Sequence, residues 1–71
     1  MVFERKNINT KKRYILKVGN TYVKQIEFNA ITTFVCTDKK EEAKKIYGWW
    51  LFDTYHLLIN DSMSKTMEEI N

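Results

Sequence analysis

A two-residue interruption constrains this chain more than any other feature. Arg13-Tyr14-Ile15-Leu16-Lys17-Val18 and Thr21-Tyr22-Val23-Lys24-Gln25-Ile26-Glu27-Phe28 are rich in β-branched and aromatic residues, and only Gly19-Asn20 separates them. Glycine at the first central position suits a type II′ turn, and Gly-Asn is also accepted by type I′. A two-residue loop predicts a β-hairpin in which residue 18 faces 21, 16 faces 23 and 14 faces 25. Tyr14, Leu16, Val18 and Val23 then share one face, and Ile15, Lys17, Tyr22, Lys24 and Ile26 share the other. The first face is more uniformly apolar and is expected to look inward. The second mixes aromatic rings with lysines and is expected to stay wet or to meet a partner.

The segments that follow extend this sheet and cover it. Asn29-Ala30 reads as a turn, and Ile31-Thr32-Thr33-Phe34-Val35-Cys36 as a third strand, antiparallel to the second because the connection is short. Phe34 and Cys36 are expected in the core, since cysteine packs as a small hydrophobe. Asp38-Lys39-Lys40-Glu41 has the spacing of a capping box, which predicts a helix from Asp38 with a Glu41–Lys45 pair on its surface and Gly48 at its end. Residues 49–59 form the most apolar stretch, and their spacing predicts a second helix packed across the sheet. Met63, Met67 and Ile70 fall at helical spacing, so residues 61–71 are expected to form a short C-terminal tail or helix. The expected class is α+β: a three-stranded antiparallel meander against one or two C-terminal helices, in one compact domain of β-β-β-α-α order over 13–60.

Composition limits what such a domain does. At 71 residues the chain is about half the commonest domain length. It holds one cysteine, which excludes an internal disulfide framework and a multi-cysteine zinc site. No apolar run approaches the roughly 20 residues that span a bilayer, so no membrane is expected as a partner. The opening residues lack the apolar core of a secretory signal, and the expected setting is a reducing cytoplasm. Charge is uneven. Residues 4–13 carry Arg5, Lys6, Lys11, Lys12 and Arg13 against Glu4, whereas the rest of the chain is slightly acidic. Residues 1–12 therefore read as a flexible basic arm, which either contacts phosphate, steers toward an acidic protein surface, or is a solvated terminus. Phe, Tyr, Met, Ile, Asn and Lys together make up 34 of the 71 residues, so AT-rich coding explains the lysines without a polyanion partner.

A search for chemistry finds little. His56 is the only histidine, and no cluster has metal-ligand spacing. Cys36, His56 and Asp53 are formally a nucleophile, a base and an orienter, but Asp53 and His56 stand one helical turn apart, where a surface contact is the ordinary explanation. There is no phosphate-binding glycine loop and no nucleophile elbow. The chain is expected not to be an enzyme and to need neither cofactor nor metal. The side chains that stand out are aromatic. Trp49 and Trp50 point about 100° apart on a helix, so a thin core covers only one, and the other either caps the rim of the core or stands exposed as a binding anchor. Tyr22, beside Lys17 and Lys24, is a second candidate.

The run Tyr14-Ile15-Leu16-Lys17-Val18-Gly19-Asn20-Thr21-Tyr22-Val23-Lys24, followed by Thr33-Phe34-Val35-Cys36-Thr37-Asp38-Lys39-Lys40-Glu41-Glu42-Ala43, resembles small accessory proteins of phages and prophages of AT-rich Gram-positive bacteria. Those proteins pair a "Tyr-Ile-x-Lys-x-Gly-x-x-Tyr-x-Lys" hairpin with a "Thr-Asp-Lys-x-x-Ala" helix start. This chain carries one residue more between Lys39 and Ala43. The resemblance covers about residues 14–50. It implies a non-enzymatic inhibitor that binds a host protein in the host cytoplasm, with defence nucleases such as CRISPR effectors among the targets of such proteins. It carries over no functional residues. The expected partner-binding residues are Lys17, Tyr22, Lys24, Trp49 and Trp50, with the basic arm steering association. The alternatives are a small basic nucleic-acid-binding accessory protein, or an assembly subunit that completes its core as a homodimer.

Overall fold

The computed structural model describes residues 1–60 and 62–70. Among them are five strands in one open antiparallel sheet and one α-helix: β1 (Arg13–Val18), β2 (Thr21–Phe28), β3 (Thr32–Thr37), β4 (Ile46–Tyr47), α1 (Gly48–Leu58) and β5 (Lys65–Ile70). Single 3₁₀ turns lie at Arg5–Asn7 and Lys40–Glu42. The α+β class is as the sequence implies, and β1, β2, β3 and α1 fall within a residue or so of their expected bounds.

The Gly19-Asn20 turn forms with positive φ at Gly19 alone, 60°, which makes it type II′. The hairpin it starts is short. Only Val18↔Thr21 and Lys17↔Tyr22 pair, and the expected partners of Leu16 and Tyr14 on β2 are not met. The cause is a bulge between Val23 and Gln25, centred on Lys24, which bends β2 away from β1. The vacated edge is filled from further along the chain. The Lys44 amide donates to the Val23 carbonyl at 2.9 Å, and β4 then pairs with β1 at Tyr14↔Ile46 and Arg13↔Tyr47.

The bulge also shifts the phase of β2. In an unbroken strand Val23 and Ile26 point to opposite faces, yet here Val23 is fully buried and Ile26 packs on the same core. Ile26 therefore leaves the outer face on which the alternation places it. Tyr14, Leu16 and Val23 are buried as expected, with Val18 packed against them. Phe34, opposite Ile26, also packs on the core, whereas Cys36 is exposed because β3 is an edge strand.

Residues 38–47 do not form the predicted helix. The hydroxyl of Thr37, not the carboxylate of Asp38, accepts the Lys39 amide, and it donates to Glu42. Only one 3₁₀ turn follows, because the chain must straighten at once to reach Val23 and β1. Gly48 opens α1 rather than closing an earlier helix. Its amide donates to the Lys12 carbonyl at 2.7 Å, and a Cβ there would lie 2.0 Å from the Asn9 carbonyl oxygen.

Both expected ends of the chain are also revised. Residues 65–70 are a strand, β5, that pairs with β1 along its whole length, from Val18↔Lys65 to Arg13↔Ile70. Met67 sits opposite Leu16, and both are almost wholly inaccessible, so a period of two overrides the helical spacing of Met63, Met67 and Ile70. Residues 62–64 lead into this strand without helical structure, and Asp61 and Asn71 lie outside the described residues. Residues 1–12 are not a frayed arm. Val2 bridges Thr66, the Phe3 amide donates to Lys65 and the Met67 amide donates to Met1. Phe3 and Ile8 join the core, and the Tyr14 hydroxyl accepts the Asn9 amide at 2.9 Å. Helix α1 closes the core with Leu51 and Leu58, both fully buried. Each contributes about 1.5–3 kcal/mol by burial.

The two glycines should respond to alanine for different reasons. Gly48→Ala drives a methyl into the 9–12 backbone, and thermal or denaturant melting should show a loss of about 1–3 kcal/mol or more. At Gly19 nothing stands within 4 Å of a Cβ, so Gly19→Ala should cost only the backbone strain, about 1–2 kcal/mol. A wild-type midpoint for Gly48→Ala would disprove the close approach of α1 to the 9–12 loop.

A candidate binding surface on the outer sheet face

Strand register sorts the expected site residues onto faces. Residues opposite one another in a ladder share a face, so Arg13, Ile15 and Lys17 lie with Tyr47, Glu68 and Tyr22 on the side of the sheet away from the core. Arg13 and Lys17 are separated by about 13 Å along β1, at about 3.3 Å per residue. This face carries an aromatic group at each end.

At one end the Lys17 ammonium lies 5.4 Å from the centre of the Tyr22 ring, so the structure brings together two of the expected partner-binding residues. Both are partly buried. Lys24, the third, is exposed at the bulge and carried out of the ladder.

At the other end Tyr47 stacks on Trp49, with ring centroids 5.9 Å apart and planes 18° from parallel. Tyr47 is 55% and Trp49 52% exposed. Trp50 turns inward onto the core and meets Phe28 at 5.9 Å. The tryptophan pair thus divides as its angular spacing requires, with Trp49 outward. Tyr47 has no place among the expected site residues. The missed signal was the apolar-polar alternation of Ile46-Tyr47, concealed within a segment read as helix. A cleft of about 260 Å³ borders the stack, lined by Lys44, Lys45, Ile46, Tyr47, Trp49 and Trp50.

The basic residues of 4–13 fall into two groups. The Arg5 guanidinium sits 4.2 Å from the centre of the Phe52 ring, and Lys6 pairs with Glu4 at 3.3 Å, both on the helix side. Lys11, Lys12 and Arg13 lie toward Tyr47 instead. Arg13 is the ladder partner of Tyr47, and the Lys12 carbonyl holds the start of α1. An Asx turn, in which the Asn9 side chain accepts the Lys11 amide at 2.9 Å, shapes this loop. Residues 9–13 are thus fixed through their backbone beside β4 and the start of α1, and are not a free tether.

Between the two aromatic ends the Lys40 ammonium donates to Glu68 across β1. Glu68 stands opposite Ile15, and Ile15 is nearly inaccessible although it points away from the main core. The hydrogen bond from Lys40 holds the Glu68 carboxyl below its ordinary value, and the same bond raises Lys40.

Cys36 is exposed on β3, and His56 and Asp53 are exposed on α1. Among the described residues no group of three or more His, Cys, Asp or Glu is placed to hold a metal ion, and no helix is long and apolar enough to cross a membrane. Comparison with protein families, with curated proteins and with solved structures returned no match.

The Lys40–Glu68 pair predicts a pH dependence. A carboxyl lowered in the folded state stabilises above its unfolded value, and the gain disappears as pH falls through the folded one. Native protein should therefore melt higher than Glu68→Gln at neutral pH, and the difference should vanish in acid. A difference that persists in acid would mean that Glu68 acts other than through its charge.

Proposed function

We propose that this chain is a non-catalytic binding module that inhibits a host protein by occupying its surface, with the Tyr47–Trp49 stack as anchor. One observation supports this most strongly. Two large rings stand more than half exposed, stacked on each other, with Lys44 and Lys45 in the adjoining cleft and Arg13 opposite Tyr47. Trp, Tyr and Arg dominate the energetics of protein interfaces, and rigid rings bind at small entropic cost. A standard interface takes about 800 Å² from each partner, about one sixth of the 4846 Å² this protein exposes. The outer sheet face carries Tyr22 and Lys17 at one end and Tyr47 and Trp49 at the other, with the Lys40–Glu68 bridge between them. Its basic groups favour an acidic target and hasten encounter. The resemblance of residues 14–50 to phage accessory proteins supports a bacterial target in the host cytoplasm, with a defence nuclease such as a CRISPR effector in that class.

The same stack supports one other reading. Exposed rings beside lysines are also what single-stranded nucleic acid stacks upon. Salt distinguishes the two, because affinity resting on phosphate contacts falls steeply as salt rises, whereas apolar anchoring changes little.

The test is affinity capture from a Gram-positive host lysate, with and without nuclease, followed by binding kinetics on the captured protein. The target should survive nuclease treatment and be lost with Trp49→Ala or Tyr47→Ala. Neutralising Lys44 and Lys45 should slow association more than it speeds dissociation, and Trp49→Ala should do the reverse. Capture abolished by nuclease, or unaffected by loss of both rings, would overturn the proposal.

A further inference from the structure

The two outer edges of the sheet are treated differently. Beyond β5, residues 1–3 are already in place, with Val2 bridging Thr66 and backbone bonds at Phe3 and Met67. Beyond β3, among the described residues, no strand pairs. Edge strands in soluble proteins ordinarily carry a lysine, a proline or a bulge that discourages pairing. Strand β3 has none of these. Residues 28–37, Phe-Asn-Ala-Ile-Thr-Thr-Phe-Val-Cys-Thr, are the longest uncharged run in a chain that is 30% charged. The β2 bulge lies on the inner side of the β2–β3 ladder. Ile31, at the start of this edge, is 75% exposed.

We propose that β3 pairs antiparallel with β3 of a second copy of this chain, joining two sheets across a twofold axis. Charge favours a second copy as the occupant. An uncharged strand faces itself without opposing like charges, and the one cation near its centre, the Lys65 ammonium 5.1 Å from the Phe34 ring, lies on the core side. The covered β5 edge favours closure at two, because the other free strand edge, on β4, is only two residues long and a dimer joined through β3 leaves no further unpaired edge of comparable length.

The faces fix the register. Phe34 points to the core, and opposite residues in a ladder share a face, so both cores stay on one side only if the axis passes through a residue. Through Phe34, the ring meets the partner's Phe34, an aromatic cross-strand pair. Thr33 then meets the partner's Val35, and Ile31 meets the partner's Thr37. Seven residues from each copy bury less than the about 800 Å² per partner of a standard interface. The dimer should therefore dissociate on dilution in the micromolar range.

Sedimentation equilibrium of the native chain over a concentration series tests this without any substitution. The mass should move from 8.6 kDa toward twice that value. Two double variants then test the register. Thr33→Lys with Val35→Lys sets introduced lysines opposite each other across the axis, and should weaken the dimer at least about tenfold. Thr33→Lys with Val35→Glu sets lysine opposite glutamate, and should restore it. Far-UV circular dichroism confirms that each variant is folded. A native chain that stays monomeric throughout the series overturns the proposal, as does a dimer indifferent to the lysine pair. Equal loss in both folded variants overturns the Phe34-centred pairing.

Discussion

Strand β1 is the member on which every other element depends. Its six residues pair along one side with β5, and along the other with β2 at one end and β4 at the other. A strand hydrogen-bonded on both sides satisfies its backbone without water, which permits Tyr14, Ile15 and Leu16 to be buried in succession. The sharing of one edge between β2 and β4 depends in turn on the bulge at Lys24. If β2 stayed paired with β1 throughout, β4 would have no place to dock. Tyr47 would then lose the register that sets it beside Arg13.

That arrangement explains how the proposed binding face is made. The hairpin positions Lys17 and Tyr22 by local chemistry alone. The Tyr47–Trp49 stack needs three segments to meet: the 9–12 loop, β4 and the start of α1. Gly48 allows the meeting, because only a residue without a side chain lets the Asn9 carbonyl approach so closely. The exposed rings are therefore mounted on a junction held from several sides, which suits an anchor that must keep its geometry.

What could be read from the sequence was local. The turn at Gly19-Asn20, the β2–β3 meander, and the split between Trp50 and Trp49 each follow from a few adjacent residues. What could not be read was decided at long range. Lys65-Thr66-Met67-Glu68-Glu69-Ile70 has little strand character of its own and becomes a strand because β1 offers an edge and Leu16 a partner for Met67. Asp38 and Glu41 have capping-box spacing, yet Thr37 takes the amide, and the pull toward Val23 ends the helix after one turn. The basic cluster hid Phe3 and Ile8, two isolated apolar residues that join the core, Phe3 with its amide bonded to Lys65 at the start of β5. Of the expected site, the Lys17–Tyr22 pair and the division of the two tryptophans could be inferred from spacing, but which of them faces outward could not. Tyr47 required knowledge of β4.

The pairing of residues 1–3 with 65–67, and of β1 with β5, bears on how the chain reaches this fold. Contacts between segments about 47 to 64 residues apart carry the largest loop-closure cost, and they delay folding relative to a hairpin closed by two residues. During synthesis the β1–β2 turn is available early, but one edge of β1 lacks its strand until residue 70 has emerged. Until then Leu16 and the core side of α1 have no complete cover. The fold is thus completed only once β5 is available, and a chain that has formed the hairpin without β5 exposes the apolar surface that β5 would cover.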